Sequence, residues 1–156
     1  MDVPDDRSLI EQYLQDGKLL QLASERDGQP WLTHVWYAVD DNLDIYFVSS
    51  AAQRHSSEIR SNSRVAAGVI PMELEGPGQK VRGISLEGEA EEIGARSLPH
   101  AFRIYSRRWP QVSKIATQAE FVKQATKMRF YRIRPKRIIL FDQVNFPDNP
   151  QRELTL

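Results

Sequence analysis

The segment Phe47-Val48-Ser49-Ser50-Ala51-Ala52-Gln53-Arg54-His55 holds the residues best placed to do chemistry. A strand-like pattern ends there, two hydroxyls follow, and a helical pattern opens with a cationic pair. The free N–H groups and positive dipole end of a helix N-terminus attract anions. Ser49 and Ser50 can donate hydroxyls, Arg54 can grip a phosphate through two parallel bonds, and a protonated His55 can add charge. The ligand implied is a phosphate monoester or a nucleotide. The plainer reading of the same residues is that Ser50 caps the helix and Arg54 is solvated.

A second candidate is Thr33-His34-Val35-Trp36 on the preceding strand. Trp36 can flank a planar ring while main-chain groups read its edge; the alternative is an ordinary half-buried aromatic strand. Other chemistries find less support. His34 and His55 lack a third ligand at a recognisable spacing, so no metal site is expected. None of the three histidines, 34, 55 and 100, sits beside a nucleophile elbow. His100 reads as a surface residue at a helix start. Glu87, Glu89, Glu91 and Glu92 read as a solvated strand face. Arg103, Arg107 and Arg108 beside Trp109 read as a solvated helix face, with a partner subunit or ligand as the alternative contact. The chain has no cysteine, which excludes disulfides, thiolate zinc sites and cysteine nucleophiles.

The elements that must hold these residues follow from periodicity. A helix is expected over Ser8–Asp16, capped by the Ser8/Glu11 spacing and ended by Gly17. Strands are expected over Lys18–Ser24, Gln29–Val39 and Leu43–Ser49, the first two joined by an Asp27-Gly28 hairpin turn. Both faces of Gln29–Val39 are apolar, so cover on both sides is expected. A helix over Ser50–Asn62, capped by Ser50 and Gln53, precedes strands over Arg64–Ile70 and Val81–Ile93. Gly83 and Gly88 in the latter suggest bends or close backbone approach. Helical stretches over Leu98–Arg108 and Gln111–Thr126 flank Pro110. Two last strands, Met128–Arg134 and Ile138–Phe141, are separated by Pro135-Lys136, and the tail from Asn145 is irregular.

With 156 residues, one domain over 1–156 is expected. Lys plus Arg number 21, and so do Asp plus Glu, so the net charge is zero. That balance argues against nucleic acid and against a membrane surface as partners. The acidic start has no apolar segment, so the expected location is the cytoplasm. Many strands in a short chain point to a mainly β fold with flanking helices, a barrel or strongly coiled sheet.

The ordered motifs resemble a known family. Leu22-Ala23-Ser24, Asp27-Gly28-Gln29-Pro30, Val35-Trp36-Tyr37, Ile45-Tyr46-Phe47-Val48-Ser49-Ser50, Arg54-His55 and Asn62-Ser63-Arg64-Val65-Ala66 are similar to the pyridoxamine 5′-phosphate oxidase-like, FMN-binding split-barrel superfamily. Arg82 to Glu89, Tyr105 to Pro110 and Phe146-Pro147-Asp148-Asn149 look like its bacterial YhbP-like branch. The resemblance covers most of the chain. It implies a six-stranded antiparallel Greek-key split β-barrel and a homodimer with ligand sites between subunits. It also implies FMN as cofactor and oxidoreductase activity on a small-molecule substrate or electron donor. Carried over by position, Thr33, His34, Val35 and Trp36 line the isoalloxazine. Val48, Ser49 and Ser50 pass beneath the ribityl chain and phosphate, and Arg54 and His55 clamp the phosphate. F420 or haem in place of FMN, and flavin or haem binding without turnover, are the alternatives. Many flavin-binding members carry Lys where His55 stands and Ser or Thr where Gln53 stands. The substrate-phosphate motif of a true pyridoxamine phosphate oxidase is absent, so that particular activity is not expected.

Overall fold

The computed structural model describes residues 2–156. Alternating side chains build seven antiparallel strands: β1 (Leu19–Arg26), β2 (Gln29–Val39), β3 (Ile45–Ser50), β4 (Arg64–Val69), β5 (Arg82–Glu92), β6 (Met128–Asp142) and β7 (Gln151–Thr155). Their order in the sheet is β3-β2-β1-β4-β5-β6-β7, and β3 also pairs with β6. That extra pairing, from Ile45 opposite Ile133 to Ser50 opposite Met128, closes β1–β6 into a six-stranded barrel. The placement of β4 beside β1 gives the Greek key. The expected split barrel is therefore present, with β7 as an added strand.

The interior is filled from alternate positions, among them Leu20 and Leu22 of β1, Val35 and Tyr37 of β2, Ile45 and Phe47 of β3, and Tyr131 and Ile133 of β6. Helix α1 (Asp6–Asp16) and helix α2 (Arg54–Ser61) pack Leu9, Ile10, Tyr13, Leu14 and Ile59 into this same core. A second apolar cluster lies outside the barrel. There α3 (Leu98–Arg108), a 3-10 turn (Pro110–Lys114) and α4 (Gln118–Val122) cover Ala38, Tyr46 and Phe130.

Several elements differ from expectation, each for a local reason. Helix α1 is capped by Asp5, whose carboxylate accepts from the Ser8 backbone N–H at 3.0 Å, not by a Ser8/Glu11 box. Helix α2 begins at Arg54 with Gln53 as its cap, because Ser50 still belongs to β3. The stretch after Pro110 breaks into a 3-10 turn and a short helix, since Thr117 and Glu120 form a fresh capping box in its middle. The two last strands are one, β6. Pro135 sits where the β5–β6 register shifts beside Gly88, a bulge that tolerates a missing N–H. A Cβ on Gly88 would lie 2.2 Å from the Arg134 carbonyl oxygen, which is the close approach expected there. The tail is not irregular throughout, because β7 pairs with β6 from Phe141 to Arg137. Finally, β2 is covered on both faces only at its end, over Tyr37, Ala38 and Val39; Trp31, Leu32 and Trp36 are 42, 55 and 50% exposed.

Candidate functional site

Two short-range rules sort the residues of the β3–α2 junction. Successive residues of a strand face opposite sides, and successive residues of a helix are about 100° apart. Ser49 therefore points inward and Ser50 outward; His55 points inward and Arg54 outward. The four residues that the sequence grouped as one site form two pairs, back to back.

The inward pair is a direct contact. Ser49 Oγ and His55 Nε2 are 2.6 Å apart, and both residues are buried. Burial pushes the His55 pKa below its ordinary value, with the Glu58 carboxylate opposing that shift. The imidazole faces the interior and is held toward its neutral form, so it adds no outward-facing positive charge to this turn. The His55 clamp implied by the resemblance thus has a different placement from Arg54.

The outward pair lines a turn. Ser50 Oγ accepts from the Ala52 backbone N–H at 3.3 Å, and the Gln53 side chain caps none of the opening N–H groups of α2. Arg54 lies with its guanidinium carbon 4.2 Å from the centre of the Trp31 ring. Its Nε also stands 3.3 Å from the buried Glu58 carboxylate. The guanidinium side chain is nevertheless 47% exposed, so it keeps donors for a ligand. A hydroxyl, one cation and uncapped helix N–H groups are a donor set suited to a phosphate. By that donor set the turn fits the phosphate of FMN, with Arg54 as its one outward cation among these residues.

The other named residues lie on β2 and β3. Thr33 is half-buried, His34 is exposed, Val35 belongs to the barrel core, and Trp36 is half-exposed. The Val35 side chain therefore cannot line an outer site; only its main chain can. Val48 is half-buried against the second cluster. Trp36 meets Trp109 edge to face at 5.1 Å. Among the described residues no group of three or more His, Cys, Asp or Glu side chains comes together as a metal site.

Residues 8–142 match the family described as pyridoxamine 5′-phosphate oxidase. The chain belongs to that family. No curated protein matches the sequence. Among solved structures, this oxidase-family fold is similar to a heme binding protein from Mycobacterium smegmatis, with a TM-score of 0.80 and 14% identity over 99% of this chain and 60% of that one. It is also similar to a conserved hypothetical protein from Mycobacterium tuberculosis, with a TM-score of 0.69 and 25% identity over 94% of this chain and 90% of that one. A FAD-binding protein from Mesorhizobium loti gives a TM-score of 0.62 and 19% identity, over 86% of this chain and 92% of that one. The chain thus spans about 60% of the length of the mycobacterial heme binding protein.

Sequence reasoning passed over Trp31, on which Arg54 rests, because on β2 it reads like any other strand aromatic. It also passed over the contact of Trp36 with Trp109, residues separated by more than seventy positions. No helix of the described residues is long and apolar enough to cross a membrane.

Proposed function

We propose that this member of the pyridoxamine 5′-phosphate oxidase family is an FMN-binding oxidoreductase that works as a homodimer. The observation that carries the reading is the outward pairing of Ser50 and Arg54 at an uncapped helix start. Exposed apolar side chains stand alongside on β2, Leu32 and Trp36 on one face and Trp31, under Arg54, on the other. The phosphate is held by Arg54, the Ser50 hydroxyl and the first N–H groups of α2. On the resemblance, Thr33, His34, the Val35 main chain and Trp36 line the ring, and Val48 and Ser49 support the chain beneath it. His55 orients Ser49 from inside. Bound FMN supplies electron transfer at its ring; the protein supplies position, desolvation and charge. The FAD-binding neighbour supports a flavin, while the heme binding neighbour gives weight to haem as the rival, with exposed His34 as the available imidazole.

The test is titration of the flavin-free protein with FMN, followed by flavin fluorescence. Saturable binding is expected at one FMN per chain. A charge-assisted contact contributes about 1.5–3 kcal/mol, so Arg54→Ala is expected to weaken binding about 10- to 150-fold. Equal affinity in the variant removes Arg54 from the site. Failure of the wild-type protein to bind FMN, with a Soret band on adding haem that His34→Ala abolishes, replaces flavin by haem.

A further inference from the structure

A pocket of about 250 Å³ opens between β2, the end of α3 and the 3-10 turn, lined by Trp36, Tyr105, Trp109, Gln111, Val112 and Ile115. None of these side chains carries a charge: burial pushes the Tyr105 phenol up to about 12, so it is neutral at physiological pH. The polar atoms of the wall are mostly committed. Trp109 Nε1 donates to the Tyr37 carbonyl at 2.7 Å, and the Tyr105 hydroxyl points to the Trp36 carbonyl at 3.5 Å. What remains is aromatic surface and the Gln111 amide.

The walls are fixed before any ligand arrives. The Arg108 guanidinium lies 5.0 Å from the Trp109 ring centre, and Trp36 packs edge to face on the same indole. Arg108 is itself anchored by donating to the carbonyls of Leu14, Gln15 and Gly17. A rigid aromatic wall binds without the entropy cost of ordering side chains. Trp36 and Ile115 at the mouth are 50 and 49% exposed, so the opening is reachable from solvent.

We propose that this pocket is a binding site for a neutral, planar aromatic molecule of one or two fused rings. The volume falls just below the roughly 300 Å³ at which pockets for drug-sized ligands begin, which sets the ring count. Aromatic walls favour a planar π-system in stacked or edge-to-face contact. An anion or cation loses its hydration there with no partner in exchange. Gln111 offers one hydrogen bond to a ring oxygen or nitrogen. Because Trp36 belongs both to this pocket and to the proposed ring site, the occupant is, on the FMN reading above, the class of molecule presented to the flavin.

The experiment is calorimetric titration with 2-naphthol and with naphthalene-2-sulfonate, at pH 7, in flavin-free protein and again after FMN saturation. Saturable binding of 2-naphthol, at least tenfold tighter than the sulfonate, is expected in the flavin-free protein. Ile115→Glu places a carboxylate at the exposed mouth without touching the core, and is expected to weaken naphthol binding at least fivefold with an unchanged circular dichroism spectrum. Absence of saturable naphthol binding, equal binding of the sulfonate, or indifference to Ile115→Glu overturns the proposal. So does dissociation of a dimer by naphthol in sedimentation, which means that a second copy fills the pocket. Naphthol binding in a protein that does not take FMN keeps the pocket and sinks the flavin reading; FMN binding without naphthol binding does the reverse.

Discussion

Inside the barrel end, the Ser49 hydroxyl and the His55 imidazole share one hydrogen bond and leave the outer turn to Ser50 and Arg54. The residue types at this junction suggest anion-binding chemistry, and the strand-to-helix transition was legible in the sequence. Which member of each pair faces out was not, because that depends on where the strand stops and the helix starts. A helix expected from Ser50 in fact begins at Arg54, and this shift sets the direction of the Arg54 and His55 side chains. The buried His55 has a consequence for stability. Its pKa is depressed in the folded state, so the unfolded chain takes up a proton first as pH falls. The stability this neutral imidazole protects is present above pH 6.5, the ordinary value, and is lost as pH drops below it. Urea unfolding between about pH 7.5 and 5.5 is expected to show a slope of up to about 1.4 kcal/mol per pH unit from this group. His55→Gln, which keeps a hydrogen-bonding partner for Ser49, is expected to flatten that slope. Identical slopes in both proteins mean that His55 is not the group responsible. The carboxylates held low, Asp5, Asp142 and Glu153, lose their contribution only below their ordinary values of 3.8, 3.8 and 4.5 and lie outside this window.

At the level of elements, the end of α3 is tied to the end of α1. Arg108 donates to the carbonyls of Leu14, Gln15 and Gly17, the unsatisfied groups of a helix C-terminus, and lies 5.1 Å from the Tyr37 ring centre. Tyr37 adds its own hydroxyl, donating to Leu14 at 2.6 Å. The sequence pattern placed Arg108 on a solvated helix face, since its partners lie about ninety residues upstream and local spacing carries no trace of them. The same blindness applies to the acidic strand β5. Its alternating glutamates were legible as an exposed face, but not as a ladder of ion pairs joining Glu89 to Lys136, Glu91 to Arg132 and Glu92 to Arg129. Arg108→Ala is expected to cost about 2 kcal/mol, because it strips charged donors from partly buried carbonyls. For a domain of this size that lowers the melting temperature by about 4–8 °C. Arg108→Lys is expected to recover only part of the loss, since one ammonium cannot span three carbonyls as a planar fork does. Thermal melts of the three proteins check the order, and a full rescue by lysine would mean that charge alone, not geometry, holds the contact.

For the whole molecule, the barrel was readable because period-two alternation and short turns dictate antiparallel neighbours, and β1, β4 and β5 carry that pattern plainly. Closure of β3 on β6 joins segments some eighty residues apart, and it entered the sequence reading only through family resemblance. The incomplete cover of β2 is the point where a single chain falls short of its own pattern. Leu19 and Trp36 are cross-strand partners on β1 and β2, and with Leu32 they leave large apolar side chains exposed on one face of the strand pair, while Trp31 is exposed on the other. We propose that these side chains form an interaction surface, since exposed apolar patches commonly mark one. In a two-fold dimer the same patch meets its own copy, so one apolar strip suffices to build the interface. Sedimentation at micromolar concentration is expected to give twice the chain mass of 18.0 kDa. Leu32→Arg, at the most exposed residue of the strip, is expected to shift it to the monomer while leaving the barrel folded, because that side chain is 55% exposed and belongs to neither apolar cluster. The FMN affinity of that monomer then decides where the site lies. A drop of tenfold or more means that the second copy completes the pocket around the ring. An unchanged affinity means that Ser50, Arg54 and the β2 strip of one chain suffice, and the dimer exists for another reason. A wild-type protein that sediments as a monomer removes the interface and leaves the apolar strip to the ligand alone.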